Sequence, residues 1–164
     1  MPHSAFIGLG SNLEDPHSQL QRAFAELDRL PDTRLIACSS LYRSAPLGYA
    51  DQPEFANAVA QIATALTPQD LLQALLEIER GHGRERTFRN APRTLDLDIL
   101  LYDDMRMHEH GLTLPHPQMH LRAFVLQPLL EIAPGCVIPG IGSAQQALRN
   151  CADQQLEKLA DAAC

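Results

Sequence analysis

Two aspartates separated by one residue stand in the apolar run that ends the segment RNAPRTLDLDILLY, residues 89–102. Side chains alternate along a β-strand, so Asp96 and Asp98 are predicted to share one face, about 6 to 7 Å apart. Two carboxylates at that distance repel each other unless a cation neutralises them. Oxygen ligands suit Mg²⁺, and two such ions about 3.5–4 Å apart could be bridged there. The alternative is a structural ion network with Arg89 or Arg93, and the spacing alone does not decide between the two.

The loop ahead of this strand is rich in arginine. Its arginines, together with one from the preceding helix, are Arg80, Arg84, Arg86, Arg89 and Arg93. Such a run can be a solvated face, and Glu79 and Glu85 could neutralise part of it. Guanidinium groups also bind phosphate oxygens through paired hydrogen bonds. Beside a carboxylate pair that suits Mg²⁺, the arginines indicate phosphoryl transfer, in which positioning and charge neutralisation do most of the catalysis.

Two further features could take part in phosphate binding. Gly8 and Gly10 follow an apolar segment, but the third glycine of a dinucleotide-binding fingerprint is missing, and so is the P-loop motif. We therefore expect a tight turn between a strand and a helix at these glycines. His116 lies between two prolines and could direct a hydrogen-bond donor at a phosphate.

Composition favours one folded domain over residues 1–164. The chain is 45% hydrophobic, and its net charge of −7 argues against a general nucleic-acid surface. We see no signal peptide and no apolar run near eighteen residues, so we expect a cytoplasmic protein. The cysteines form no CxxC pair, and their spacing indicates neither a zinc site nor a disulfide framework. Cys38 is expected to pack as a small hydrophobic residue.

Hydrophobic periodicity predicts the element order β-α-β-β-α-β, followed by an extension. The two helices would begin at Asp15–Pro16 and Thr67–Pro68, each with a capping side chain and a proline in the first turn. The strands are predicted in SAFIGLG, TRLIACSSLYRS, FANAVAQIAT and LDLDILLY. The C-terminal segment SAQQALRNCADQQLEKLADAAC has a helical, amphipathic pattern. This order is typical of a ferredoxin-like α+β sandwich with a C-terminal extension.

Several segments in order carry a resemblance to a known family. They are GLGSNL, LYRSAPLG, DQPEFANAV, RNAPRTLDLDILLY and LPHPQMHLRAFVLQPLLEIAPG. From about residue 5 to residue 135, the chain resembles 6-hydroxymethyl-7,8-dihydropterin pyrophosphokinase of folate biosynthesis. The resemblance implies a ferredoxin-like fold, in agreement with the predicted element order. It also implies transfer of the β,γ-pyrophosphoryl unit of ATP to the pterin hydroxymethyl group, with release of AMP.

The resemblance also implies roles for individual residues. Asp96 and Asp98 would hold two Mg²⁺ ions that bridge the triphosphate, and Asp96 would also contact the pterin. Contacts to ATP would come from Arg84, Arg93, Ile99, Thr113, His116 and Arg122. Arg84 and Arg93 would be catalytic residues, together with Asp96 and Asp98. The pterin would be bound by Ser44, Leu47, Phe55, Asn57 and Phe124. Within that set Asn57 would read the ring edge, and the two phenylalanines would stack on the ring faces.

We expect ATP and the hydroxymethyl-dihydropterin as small-molecule partners of a monomer, with no nucleic acid and no membrane. The loops at 44–53 and 83–93 are expected to close over bound substrates, with Arg86 in the second loop. Two other functions stay open from the residues. The aspartate pair alone would allow a two-metal phosphohydrolase, against which the pterin contacts argue. The second alternative is a non-catalytic module that binds a nucleotide or a pterin. The presence of Asp96, Asp98 and Arg93 argues against it.

Overall fold

The structure is a computed structural model that describes residues 2–11, 15–44, 55–82, 95–162 and 164. Within these residues the strands are β1 (His3–Ser11), β2 (Thr33–Cys38), β3 (Leu41–Ser44), β4 (Phe55–Thr64), β5 (Asp96–Tyr102), β6 (Met107–Glu109), β7 (Leu112–Leu114), β8 (Val137–Ile138), β9 (Gly142–Ser143) and β10 (Leu156–Ala160). The helices are α1 (Pro16–Asp28), α2 (Pro68–Gly81), α3 (Ala123–Ile132) and α4 (Ala144–Arg149), and a 3-10 turn covers Met119–Leu121. The prediction of an α+β protein is confirmed.

The central sheet is antiparallel and runs in the order β10-β3-β4-β1-β5, with β2 also paired to β4. The strand predicted over residues 33–44 is divided into β2 and β3 at Ser39 and Ser40. The Ser39 hydroxyl accepts a hydrogen bond from the Val59 amide at 2.8 Å, and the Ser39 amide donates to the Val59 carbonyl at 2.8 Å. These two bonds keep the chain beside β4 across the break, so one predicted strand becomes two on the same partner.

Both long N-terminal helices begin where their capping residues predict. The Asp15 side chain accepts a hydrogen bond from the Ser18 amide at the start of α1, and Thr67 accepts one from the Asp70 amide at the start of α2. Their apolar faces pack against one side of the sheet. The buried hydrophobic residues of these faces are Leu20, Ala23, Phe24, Leu27, Leu71, Leu75 and Ile78. These apolar faces therefore form the main core together with the sheet.

A second helical layer, made of α3 and α4, covers the other side of the sheet. Strand β4 alternates between the two cores, because Ala58 and Ala60 belong to the α1–α2 side and Val59 to the α3–α4 side. Leu126 and Leu129 of α3 pack with Val59 in this second core. None of the helices in the described ranges is long and apolar enough to cross a membrane.

The prediction that the C-terminal segment is helical is wrong beyond Arg149. The short helix α4 ends there, and β10 then pairs antiparallel with β3, with Leu156 opposite Ser44. A strand at the edge of a sheet presents a row of backbone N–H and C=O groups. Pairing of β10 with β3 satisfies the groups that these two strands turn toward each other, so tertiary pairing overrides a local helical pattern.

Cys38, at the end of β2, forms a disulfide with Cys164, and their Cα atoms are 5.9 Å apart. Cys38 is buried in the core, as expected, but the expectation of no disulfide is wrong. The two cysteines are 126 positions apart in the sequence, and the return of the chain along β10 brings them together. Sequence spacing holds no sign of such a contact.

Glu131 of α3 ties the break between β2 and β3 to the second helical layer. Its carboxylate accepts hydrogen bonds from the Ser40 amide at 3.0 Å, the Ser40 hydroxyl at 2.6 Å and the Tyr42 hydroxyl at 2.7 Å. Burial favours a raised pKa for the Glu131 carboxyl, but the hydrogen bonds outweigh it and hold the pKa below its ordinary value of 4.5. Burial, with Glu131 as hydrogen-bond partner, raises the pKa of Tyr42.

We predict that Glu131→Gln lowers the free energy of unfolding by about 1 kcal/mol at pH 7, because an amide offers one acceptor oxygen where three donors converge. A carboxyl whose pKa is lowered by folding stabilises the protein above pH 4.5 and loses this effect as the pH falls through the folded-state pKa. The difference between the variant and the wild type in urea unfolding should therefore shrink below pH 4.5. Glu109→Gln, on an exposed strand, is the control and should change stability little at either pH. A difference that is constant from pH 7 to pH 3 would contradict the role given to the carboxylate.

We also predict that reduction of the disulfide, or Cys164→Ser, lowers the free energy of unfolding. In the chain-entropy description, a link across 126 positions is worth at most about 4–5 kcal/mol. Cys136→Ser removes a thiol that is not in the disulfide and is expected to shift stability by about 1 kcal/mol or less. Alkylation of the urea-unfolded protein without reductant, followed by mass spectrometry, should label two cysteines, Cys136 and Cys151. Labelling of all four would rule the disulfide out.

Candidate functional site

A cavity of about 600 Å³ lies on the α3 side of the sheet. Strands β1, β3, β4 and β5 contribute Gly8, Gly10, Ser44, Asn57, Asp96 and Asp98 to its lining. The cavity is also lined by residues 122–125, at the start of α3, and by His116. Its remaining wall is formed by residues 153–156, which lead into β10. The cavity thus combines carboxylates, an amide, an arginine, an imidazole and an aromatic ring.

Asp96 and Asp98 line this cavity, whereas Leu97 and Ile99 are buried in the core on the opposite face of β5. Asp96 is half-buried and Asp98 is exposed. The structure therefore shows the alternation that the sequence predicts. The leucine and isoleucine side chains hold the strand in the core, and the carboxylates point to the side where a ligand can approach.

Gly8 and Gly10 lie within β1, directly opposite the aspartates: Gly8 pairs with Asp98, and Gly10 with Asp96. The expectation of a turn at these glycines is wrong, because β1 continues to Ser11. A Cβ on Gly10 would lie 3.2 Å from the side-chain oxygen of Asn57. Glycine in a strand interior often marks a place where a ligand approaches the backbone closely, and here it keeps the cavity floor open.

The pairing registers align Asp96, Gly10 and Asn57 in one row across β5, β1 and β4. Neighbouring strands are about 4.8 Å apart, so the backbones at Asp96 and Asn57 are about 10 Å apart. Asn57 is 5% exposed, and its amide nitrogen donates to the Ser44 hydroxyl at 2.9 Å. This bond fixes the amide orientation, so that a carboxylate and an oriented amide stand on either side of a position without a side chain.

Glu79 of α2 reaches the aspartate pair from the core side of β5. Glu79 as a whole residue is 2% exposed, and its Oε2 accepts a hydrogen bond from the Leu97 amide at 2.7 Å. Leu97 is the residue between the two aspartates, and a buried carboxylate is stable only where hydrogen bonds replace its hydration. Glu79 therefore helps to set the backbone from which Asp96 and Asp98 project.

His116 lines the cavity as a neutral hydrogen-bonding group. The Gln118 amide donates to His116 Nδ1 at 3.1 Å, and the His116 amide donates to the Leu100 carbonyl at 2.9 Å. Burial lowers the pKa of the imidazole and outweighs the Asp98 carboxylate, which raises it; the Arg122 guanidinium adds a smaller lowering effect. Because Nδ1 accepts a hydrogen bond, the neutral ring carries its proton on Nε2, where it can donate to a ligand.

Arg122 and Phe124 form a pair at the start of α3. The Arg122 guanidinium carbon lies 5.5 Å from the centre of the Phe124 ring, and its Nη2 donates to the Gln118 side chain. Both residues are half-buried and line the cavity. A guanidinium over a ring face is held by cation–π attraction, and Phe124 also packs against the second core, so the ring is held in place where it lines the cavity.

The structure brings together seven of the predicted site residues. They are Ser44, Asn57, Asp96, Asp98, His116, Arg122 and Phe124. Two others lie elsewhere: the Ile99 side chain is in the core, and the Thr113 hydroxyl is hydrogen-bonded to His108 at 2.6 Å. Arg84, Arg86, Arg93 and Leu47 lie outside the described residues, as do the Phe55 side chain and the loops over 45–53 and 83–93.

Sequence reasoning missed the wall formed by residues 153–156. Asp153, Gln154, Gln155 and Leu156 line the cavity although they lie far along the chain from every motif. Their position depends on β10, which the sequence pattern presented as helix. The glycine spacing in β1 predicted a tight turn, whereas alternation within a strand is the informative signal there.

The donor set fits Mg²⁺ better than a transition metal. No group of three or more His, Cys, Asp or Glu side chains that could hold a metal occurs among the residues the structure describes. Mg²⁺ is commonly bound by one or two carboxylates together with water and substrate phosphates. A structural zinc site would need about four protein ligands. The aspartate pair beside an open cavity therefore suits an ion that arrives with a phosphorylated ligand.

Residues 6–134 match the 7,8-dihydro-6-hydroxymethylpterin-pyrophosphokinase (HPPK) family. The chain is 46% identical over 159 residues to the 2-amino-4-hydroxy-6-hydroxymethyldihydropteridine pyrophosphokinase of Pseudomonas aeruginosa, which covers 97% of this chain and 98% of that protein. It is also 46% identical over 156 residues to the protein of the same name from Haemophilus influenzae, covering 95% and 98% of the two chains. The chain therefore belongs to the HPPK family.

Similarity to solved structures agrees on the fold. A crystal structure of HPPK-DHPS in complex with substrates matches with a TM-score of 0.73 at 12% sequence identity. The match covers 93% of this chain and 44% of that one, so the chain spans less than half of the longer protein.

We predict that Glu79→Ala lowers the free energy of unfolding by about 1–3 kcal/mol, because the buried Leu97 amide loses its acceptor. Glu77→Ala is the matched control: it lies on the same helix, its side chain is 75% exposed, and it pairs with Arg80. Urea unfolding of both variants measures the difference. Equal effects of the two substitutions would show that Glu79 does not hold β5.

Proposed function

We propose that the protein transfers the β,γ-pyrophosphoryl group of ATP to the hydroxymethyl group of 6-hydroxymethyl-7,8-dihydropterin. The products would be AMP and the pterin diphosphate, an intermediate of folate biosynthesis. The observation that carries the proposal is the row Asp96, Gly10 and Asn57 across three strands. In this row the Asp96 carboxylate and the oriented Asn57 amide stand on either side of Gly10, which has no side chain. Membership of the family supports the same activity.

The pterin would lie on the Asn57 side of the cavity. An amide offers a donor and an acceptor on adjacent atoms, which match the alternating polar edge of a pterin. The Asn57 amide is already oriented by Ser44, and the Phe124 ring offers a face for stacking. We propose that Phe55 and Leu47 complete this subsite.

The triphosphate would lie over Asp96 and Asp98. These carboxylates would hold two Mg²⁺ ions, which when bound neutralise phosphate charge and orient the β-phosphorus. His116 would donate through Nε2, and Arg122 through its guanidinium, to the phosphate oxygens. We propose that Arg84 and Arg93 add further guanidinium contacts from the loop ahead of β5.

We propose that the adenosine lies beyond the triphosphate, near Ile99 and Thr113. Because the Ile99 side chain is in the core, its main chain would make the contact. The Thr113 hydroxyl is hydrogen-bonded to His108. Either this bond would break when adenosine binds, or Thr113 and His108 would contact the adenosine as a pair.

In the reaction the pterin hydroxyl oxygen would attack the β-phosphorus, and the bond from that phosphorus to the α,β-bridging oxygen would break. AMP leaves with the bridging oxygen and its electron pair, and the hydroxyl proton passes to water. The residues that line the cavity would hold the two substrates in line, which is the main requirement for this transfer. No strong general base is required of the neutral His116.

The strand order β5-β1-β4 with β2 and β3 beyond it supports a ferredoxin-like core, formed by a split βαβ arrangement. We propose that this core is one domain over residues 1–164 and that the protein acts as a cytoplasmic monomer. Its partners would be the two small-molecule substrates, without nucleic acid.

The test is incubation with MgATP, with and without 6-hydroxymethyl-7,8-dihydropterin, followed by measurement of AMP. We expect AMP release that requires both the pterin and Mg²⁺. Orthophosphate release without pterin would instead identify a phosphohydrolase. Pterin binding without nucleotide turnover would identify a binding module, and either result would contradict the proposal.

We predict that Asp98→Ala lowers kcat by about 10³-fold, because removal of one well-placed electrostatic group commonly costs that much. Asp104→Ala removes the same charge from an exposed position just after β5 and should keep near-normal turnover. Initial rates at saturating MgATP measure both variants. Near-normal activity of Asp98→Ala would refute a metal role for this carboxylate.

A further inference from the structure

The segment from Cys151 to Leu156 lies beyond the residues that match the family, which end at 134. It nevertheless forms one wall of the cavity, through Asp153, Gln154, Gln155 and Leu156. None of the site residues predicted from the sequence belongs to this wall. Its contacts with the start of α3 suggest a role for it.

Gln154 makes two hydrogen bonds to the main chain around Arg122. Its Oε1 accepts the Ala123 amide at 2.8 Å, and its Nε2 donates to the Leu121 carbonyl at 2.8 Å. One carboxamide therefore holds the backbone on both sides of Arg122. The Cys151 thiol adds a weaker contact to the His120 carbonyl at 3.8 Å.

These bonds act where α3 lacks an ordinary cap. The first amides of a helix have no partner within the helix. The N-cap residue of α3 is Arg122, and its side chain makes no capping hydrogen bond. Gln154 supplies the acceptor for the Ala123 amide from 31 residues further along the chain. The Arg122 side chain is thereby left to interact with Phe124 and the cavity.

The same segment also reaches the pterin side of the cavity. Leu156, two residues after Gln154, pairs with Ser44 in the antiparallel ladder between β10 and β3. Ser44 in turn accepts the hydrogen bond that orients Asn57. Residues 154–156 thus connect the wall that carries Arg122 and Phe124 to β3, whose Ser44 orients the Asn57 amide of β4.

We propose that Gln154 is a positioning residue: its carboxamide clamps the backbone around Arg122 and so sets where Arg122 and Phe124 stand for the two substrates. This inference rests on the proposed function for the identity of the substrates. Gln154 acts through Arg122 and Phe124 and need not touch a reacting atom. The effect should appear mainly in substrate binding, because both of the residues it positions are binding groups.

The test compares Gln154→Met and Gln154→Ala with wild type. Methionine keeps the length of the side chain and removes both hydrogen bonds, whereas alanine also removes the wall. Gln146→Ala is the matched control, since Gln146 is exposed on α4 and its side chain bonds only to Asn150 and Arg149 among the described residues. We measure KM and kcat for both substrates, the dissociation constant of fluorescent 6-hydroxymethylpterin, and thermal unfolding.

Loss of both hydrogen bonds should raise the KM values and the pterin dissociation constant about fivefold to tenfold in Gln154→Met and in Gln154→Ala. The value of kcat should change less than about twofold, and Gln146→Ala should match wild type. Exchange of the Ala123 amide with deuterated solvent should be faster in both Gln154 variants. Unchanged binding in Gln154→Met, with or without a lower unfolding temperature, would overturn the proposal, and so would a loss confined to kcat.

The proposed function and this inference fail in different ways. Wild-type protein that releases no pterin-dependent AMP contradicts the proposed function, while pterin fluorescence still decides whether Gln154 governs binding at this cavity. Wild-type protein that turns over normally, with Gln154 variants indistinguishable from it, contradicts this inference alone.

Discussion

The antiparallel pairing of β1 with β5 is the constraint on which the site depends. It sets Gly8 opposite Asp98 and Gly10 opposite Asp96, so the carboxylates face positions without side chains. The other face of β5 is core, and a slip of one residue would bury the carboxylates and expose Leu97. The hydrophobic effect therefore fixes the direction of the charged groups, although these groups by themselves weaken the strand.

Support from the core side makes this arrangement specific. Glu79 is buried and accepts the Leu97 amide, so a helix on the far side of the sheet contacts the backbone between the two aspartates. Its position in α2 follows from the apolar stripe of that helix, since Leu75 and Ile78 pack in the core beside it. The same contacts between α2 and β5 therefore stabilise the fold and position the carboxylates.

The opposite wall of the cavity is built from segments that are distant in sequence. Arg122 and Phe124 stand at the start of α3, and Gln154, from the C-terminal part of the chain, holds the backbone on both sides of Arg122. The chain has a net charge of −7, so a polyanionic substrate would be attracted by local groups and not by the protein as a whole. Arg122 is such a group, and the neutral His116 adds a hydrogen bond without adding charge.

The sequence by itself determined the elements that depend on local chemistry. Asp15 and Thr67 cap their helices as predicted, and the alternation in β5 puts Asp96 and Asp98 on one face, because caps and strand periodicity act over a few residues. Tertiary structure alone decided the break between β2 and β3, the C-terminal strand and the link from Cys38 to the C-terminus. It also made the glycines of β1 a cavity floor instead of a turn. Each of these depends on a backbone or sulfur partner many residues away, and local pattern carries no information about such partners.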